Sequence, residues 1–545
     1  MRRGASTLAQ SRRKREKLNL QVKPDPLATW VSFPRERLGL NYDLNASLNV
    51  HHRLTPYGEA FRNLYTRHLL MLSNGKLDAN KALVTETEAK ETTLYYVTPE
   101  INPAFTPSGS HAVVPDATFR KLGRVITDHI GESENVFVLD AAVGSHRLGE
   151  VNVRVITNSA NVNLYLKHMM PRQGHNDLAT FQYEWTVYVA PDLELADLKS
   201  LGLKSSSFAI ANLERAILFI AGSPSNQAIK EAITAAVSSR SLQDAFPSLG
   251  LSSASVVQKN GKSALVIDPS NQLGQLHLSE VPAASKSTSK SSAPMAKAEE
   301  AAKASKGKKK AEAAAEATQK ALFTAQLSDG VVGLGGAFWN HYGVFRMFQG
   351  ITHNNEKVPR QRADLVEQVK SNGKVVASNI TQPLKDLPNE SPAPAALVFL
   401  INDQNALLPQ VAKMSLAQAS KFLSVGYTGI QDNLLPFFQA RPIVAQPGQI
   451  DKLFQELSAT GNTKAFVVNT QRKDGSTLTS EEIDQIIASA TDGSLASAPS
   501  TTDTVFKYDV ISQVKGVKGS LDITQGWEKK DYASRASKLA SLLSA

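Results

Sequence analysis

Residues 397–429 read LVFLINDQNALLPQVAKMSLAQASKFLSVGYTG. The run ALVFLI, Ala396 to Ile401, is short, apolar and unbroken, the pattern of a strand buried on both faces. Ser415 to Ser424 then has helical spacing. A buried strand followed by a helix is the unit of an α/β fold. Working outward, KAFVVN (464–469) is a second buried strand. Glu481 to Ala490 is a helix, with Thr479 and Ser480 as cap candidates. Upstream, NVFVLD (135–140), VNVRVIT (151–157), WTVYVA (185–190), Phe208 to Ala211 and Ile217 to Ala221 are strand candidates. QAIKEAITAAVSS (227–239) is a helix by propensity and spacing. The chain has no internal repeat.

The 545 residues allow about two to four domains. Hydrophobic residues make up 42%, enough for a sizeable core. The absence of cysteine excludes disulfides, thiolate metal sites and a cysteine nucleophile. The longest apolar run, Phe208 to Gly222, carries Glu214 and Arg215, so no transmembrane helix is predicted. Net charge is +10, and two stretches hold more than all of it. Residues 1–17 carry seven Lys and Arg against Glu16, and residues 283–320 carry nine Lys against four Glu. The rest is electrostatically ordinary, so contact with RNA or anionic lipid is expected only from 1–17 and 283–320. The first 15 residues have five Arg and no acid. That suits a mitochondrial presequence and equally a basic arm on RNA or a neighbouring subunit.

The expected organisation is a basic, extended N-terminal arm (1–60), an N-terminal domain (61–250) and a C-terminal domain (251–545). The last is interrupted by a Lys/Ala/Ser-rich insert, 283–320, without Val, Ile, Leu or aromatic residues. Its second half reads as a solvated helix.

NVFVLDAAVGSH…VNVRVIT (135–157), SSFAIANLERAILFIAG (206–222), the 397–429 stretch, FVVNT (466–470) and EIDQIIASATDGSL (482–495) are collinear with runs of ATP-dependent phosphoenolpyruvate carboxykinase, and the chain resembles that family. The resemblance covers about 85–280 and 321–540. It implies a mixed α/β two-domain fold with a C-terminal nucleotide-binding domain. It also implies decarboxylation of oxaloacetate with phosphoryl transfer from ATP, using Mg²⁺ and Mn²⁺.

An ungapped alignment carries the family's site loops onto this sequence. The phosphate loop G-L-S-G-T-G-K-T-T reads Asp268, Pro269, Ser270, Asn271, Gln272, Leu273, Gly274, Gln275, Leu276. The D-D-E-H metal cluster falls on Ala321, Leu322, Phe323 and Thr324. The D-G-V-F-N-F-E-G-G turn falls on 329–336, with glycines kept and the glutamate gone. The G-T-x-Y-x-G-E-M-K-K loop falls on 222–231, keeping Lys230 while Glu231 replaces the second lysine. The family histidine ligand falls on Leu251. The carboxylate-binding T-G-R-S-P loop reads Thr87, Glu88, Ala89, Lys90, Glu91. Phosphoryl transfer needs positioned donors, a lysine and metal-ligand carboxylates, so catalytic, cofactor-binding and metal residues are all read as none.

Other constellations reduce to structure. Gly261-Lys262-Ser263 lacks the glycine of a phosphate loop at Val256 and reads as a turn into the strand Ala264 to Ile267. The eleven histidines include no metal-spaced pair. Lys167 to Met170 reads as core packing. Trp339, His341, Tyr342, Phe345 and Phe348 read as a buried aromatic helix face, with an exposed partner-binding patch as the other reading.

The expectation is a non-enzymatic, structural pseudoenzyme subunit of a large mitochondrial assembly, either the ribosome or a respiratory or ATP-synthase complex, with other subunits as partners and no cofactor. The alternative is an enzyme or sensor of the carboxykinase family that retains residual, weak nucleotide or dicarboxylate binding. Its candidate residues are Lys230, Arg154 and the Asn402–Asp403 pair.

Overall fold

The computed structural model describes residues 35–36, 42–270, 330–348, 367–379, 390–517 and 529–544, with short internal breaks. Two eight-stranded mixed sheets form its body. In the first, the spatial order is Glu59–Arg62, Asn135–Val143, Val151–Thr157, Trp185–Ala190, Ile217–Ala221, Ser207–Asn212, Thr92–Val97, Ala112–Val114. Alternate residues of one strand serve opposite faces, as the period of two requires. Val136 and Val138 face one core, and Leu139, Ala141 and Val143 face another.

The helix Asp116–Gly131 covers the first of these faces. Its Phe119, Leu122, Ile126 and Ile130, spaced by three and four, are buried with Tyr188, Phe208 and Phe219. The other face receives Val162, Tyr165 and Leu166 of helix Ala160–Met169, and Ile229, Ala232 and Ile233 of helix Asn226–Ser241.

The second sheet runs in the order Gly330–Leu334, Ala254–Lys259, Lys262–Ile267, Ala396–Ile401, Lys464–Asn469, Val411–Met414, Asp509–Ile511, Ser500–Thr502. Three neighbours, Lys262–Ile267, Ala396–Ile401 and Lys464–Asn469, are parallel. Helix Ser480–Asp492 closes one face with Ile483, Ile486 and Ile487 over Val266, Val398 and Leu400. The other face, Leu265, Leu397 and Phe399, belongs to the same core as Leu94, Val155 and Ile229 of the first sheet. That core is continuous between the two sheets.

Strand Ala254–Lys259 pairs with both Lys262–Ile267 and Gly330–Leu334. The chain therefore leaves this sheet at Ile267 and re-enters it two strands away, roughly 10 Å across the ladder, after the 62 residues 268–329.

The fold class is the α/β one read from the sequence, and the strand and helix candidates quoted from 135–239, 264–267 and 396–490 are present, while the helix expected in the second half of 283–320 lies outside the described residues. Helix Leu416–Val425 starts after Ser415, which makes a capping box with Gln418. Helix Ser480–Asp492 starts after Thr479, which makes one with Glu482. Two readings are corrected. Of the aromatic cluster at 339–348, Trp339, Phe345 and Phe348 are buried while His341 is exposed and Tyr342 half-buried, and the segment is an antiparallel hairpin, Ala337–Asn340 with Gly343–Arg346, and not a helix. Within the N-terminal stretch read as extended, Leu44–His52 is a helix whose Leu48 is buried. Residues 1–17 and 283–320, which carry the RNA, lipid and targeting expectations, lie outside the described residues.

Candidate functional site

Open α/β sheets bind ligands outside the carboxyl ends of their parallel strands. Here those ends deliver Asp268 and Ser270 after Ile267, Asn402 and Asp403 after Ile401, and Thr470 after Asn469. Ile267 is paired with Phe399, and Ser270 and Asn402 each lie three residues further on, in the loops that follow these adjacent strands. Ser270 Oγ and Asn402 Oδ1 are both buried and both lack a hydrogen-bond partner. Such atoms are rare in folded proteins, because each forfeits its hydration without replacement.

Asp403 is spent on its own loop. Its Oδ2 accepts the amides of Leu407 and Leu408 at 2.7 and 2.9 Å. Its Oδ1 accepts the Asn405 amide at 3.1 Å and the Tyr427 hydroxyl at 2.9 Å. Burial raises its carboxyl above the ordinary value, against the pull of these donors. The amide of Asp403 in turn donates to Asn469 Oδ1 at 3.1 Å. Of the Asn402–Asp403 pair, Asn402 is the residue with capacity for a ligand.

A second group of segments converges on helix Asn226–Ser241. Gly222 (φ 81°) makes the turn into it, and a Cβ there would lie 1.8 Å from the Ser206 carbonyl oxygen, so only glycine fits. Ser225 caps the helix, accepting the Ala228 amide at 3.0 Å. The Lys90 amide donates to the Ser223 carbonyl at 3.0 Å, which ties the 87–91 loop to this turn. Lys230 is 7% exposed, with Nζ 5.6 Å from the centre of the Phe348 ring. Glu231 accepts from Gln227 Nε2 at 3.0 Å and from Arg441 Nε at 3.2 Å. Arg441 Nη1 also donates to the Thr92 carbonyl. Arg441 carries no motif signature, and nothing in the sequence around it signals that it reaches residues 92 and 231.

Arg154 is elsewhere. Its Nε and Nη2 donate to Asp140 at 2.8 and 2.9 Å, Arg62 Nε donates to the same carboxylate at 2.7 Å, and the Arg154 guanidinium lies over Tyr183. Burial alone would raise the Asp140 carboxyl; the charges and hydrogen bonds of Arg154 and Arg62 outweigh it and hold the group below its ordinary value. Arg154 is thus a core ion-pair residue and is withdrawn as a ligand candidate. Lys167 donates to the Asn63 and Leu64 carbonyls, and Met169 and Met170 are buried, so the 167–170 segment is structural.

Divalent metal does not fit what is described. No group of three or more His, Asp or Glu that could hold an ion occurs among the described residues. The phosphate-loop positions 271–276 and the metal-cluster positions 321–324 lie outside them.

The family model for phosphoenolpyruvate carboxykinase matches residues 78–270 and 367–520. A phosphoenolpyruvate carboxykinase (ATP) of Novosphingobium aromaticivorans is 25% identical, over 85% of this chain and 84% of its own. That of Oceanobacillus iheyensis is 21% identical over 90% and 92%. That of Flavobacterium johnsoniae is 36% identical over a shorter stretch, 23% of this chain and 22% of its own. These matches overturn the expectation of a non-enzymatic structural subunit of a mitochondrial ribosome, respiratory or ATP-synthase complex, because the family model matches most of the chain and two of these relatives, both named carboxykinases, are matched over 84% and 92% of their length. The family match stops at 270 and resumes at 367, so an ungapped alignment carried through 271–336 assigns site positions inside a stretch that the family does not match. The chain belongs to the phosphoenolpyruvate carboxykinase family.

Proposed function

We propose that this chain is a carboxykinase-family enzyme that binds a nucleotide and a dicarboxylate of the oxaloacetate class. The nucleotide lies against the carboxyl edge of the second sheet, and the dicarboxylate beside the 87–92 and 222–231 segments. The observation that carries the reading is Ser270 Oγ and Asn402 Oδ1, both buried and without partners in the loops that follow the carboxyl ends of adjacent parallel strands. A hydroxyl can donate to a phosphate or ribose oxygen, and an amide oxygen can accept from a ribose hydroxyl or a base amine. Lys230 supplies a desolvated cation, whose attraction for an anion is stronger in a low-dielectric surrounding than in water. Phosphoryl transfer asks a protein mainly for positioning and for charges already in place. No step is assigned to a divalent ion, since the described residues do not assemble its ligands.

The test is a pair of measurements on the purified full chain. One follows phosphoenolpyruvate and CO₂ formed from oxaloacetate and ATP with Mg²⁺ and Mn²⁺ supplied. The other is a calorimetric titration with ATP and with oxaloacetate. Turnover together with saturable binding of both is expected. Binding of neither ligand, with no product formed, overturns the proposal.

A further inference from the structure

We infer that Arg441 is an anion-binding residue of this site, supplying from the 438–449 segment the guanidinium that the 87–91 loop lacks. The inference rests on the dicarboxylate-binding reading above. The ungapped alignment places Ala89 where the family's T-G-R-S-P loop carries its arginine, and residues 87–91 themselves contain no arginine. Arg441, about 350 residues later, arrives at the same loop: its Nη1 donates to the carbonyl of Thr92, three residues past Ala89. Its Nε donates to Glu231, the residue next to Lys230. The guanidinium is therefore fixed against both segments that flank the proposed dicarboxylate.

Three features suit it to an anion rather than to a purely structural tie. Arg441 is only 18% exposed, so its charge is poorly screened. Among the described residues its third nitrogen, Nη2, makes no hydrogen bond and keeps two donors in hand. The side chain is already ordered by two anchors, so a ligand need not organise it on binding. The segment that delivers it is itself fastened. The Tyr96 hydroxyl donates to the Pro442 carbonyl at 2.7 Å, the Val444 amide donates to Ser239 Oγ at 2.9 Å, and Gln446 Nε2 donates to the Ala104 carbonyl at 2.8 Å. Nearby charges are mixed, with Glu88, Lys90 and Glu91 exposed on the loop and Glu231 directly on the guanidinium. Glu231 therefore competes with an incoming carboxylate for Arg441.

That competition makes the test decisive. Full-length wild type, Arg441→Gln, Arg441→Lys and Glu231→Gln are titrated calorimetrically with oxalate, a stable dianion, and separately with ATP, and each is melted. Arg441→Gln is expected to weaken oxalate about tenfold or more, the scale of one lost charge-assisted contact, and to leave ATP unchanged. Arg441→Lys is expected to lose less, since an ammonium keeps the charge but not the fork. Glu231→Gln is expected to tighten oxalate severalfold. If Arg441 is only a strut, Arg441→Gln and Glu231→Gln both lower the melting temperature and neither shifts oxalate affinity, and the inference fails. Should Arg441→Gln not fold, Glu231→Gln decides, because absence of tightening overturns the inference. Wild type that binds neither oxalate nor ATP sinks the underlying reading instead.

Discussion

His52 is held at the edge of the first sheet with Nδ1 3.0 Å from the Tyr188 hydroxyl and Nε2 3.3 Å from that of Tyr183. Burial first, then the positive charges of Arg154 and His51, lower its pKa to about 3, with Asp140 opposing. The folded protein keeps this ring neutral, whereas the unfolded chain takes up a proton near pH 6.5. Stability is therefore complete above pH 6.5 and falls as pH drops toward 3, by up to about 1.4 kcal/mol per pH unit. His52→Gln, which keeps a donor and an acceptor, is expected to flatten that acid limb. Urea midpoints measured from pH 7 to pH 4 in both proteins check it, and parallel curves would refute it. Single residues were the hardest part to read from sequence. Lys230 and Asn402 could be marked as candidates because a family run aligns with them. Arg154 could be marked too, but its partner Asp140 lies on the neighbouring strand, and only the register Asp140↔Arg154 reveals the pair. Arg441 gave no signal, since its contacts are some 210 and 349 residues away in sequence.

Elements followed from local chemistry wherever local chemistry decides. Helix Leu416–Val425 ends at Gly426, which has φ 66° and whose added Cβ would lie 1.7 Å from the Leu435 carbonyl oxygen. Gly448 also has positive φ (71°), but nothing lies within 4 Å of its Cβ position. Gly426→Ala is expected to cost on the order of 3 kcal/mol or more, from backbone collision added to left-handed strain. Gly448→Ala should cost about 1–2 kcal/mol, the left-handed strain alone. Denaturant unfolding of the two variants checks the difference, and equal losses would refute it. The runs 135–140, 151–157 and 396–401 were legible because their side-chain pattern is fixed by burial on sheet faces. The 337–346 hairpin was not, because Trp339, Phe345 and Phe348 give neither a clean period of two nor one of 3.6. What makes it a hairpin is the pairing of Phe338 with Phe345 and of Leu249 with Trp339, a tertiary fact.

At the scale of the whole molecule, the described residues of the two sheets share one core, and the fastened 438–449 segment packs into it. Ile443 and Val444 are buried in that same core. Calorimetric melting is expected to give one cooperative transition, because exposing either half's apolar face would expose the other's as well. Two resolved transitions, or a folded product from residues 1–250 expressed alone, would refute this. The excursion between Ile267 and Gly330 has a different consequence. Its two ends are anchored in one ladder with one strand between them, so a longer or shorter connection changes the closure entropy little. A reporter protein or an affinity handle spliced in beyond Ser270 and before Gly330 is therefore expected to be carried as cargo while the sheet keeps its register, as an unchanged melting temperature would show.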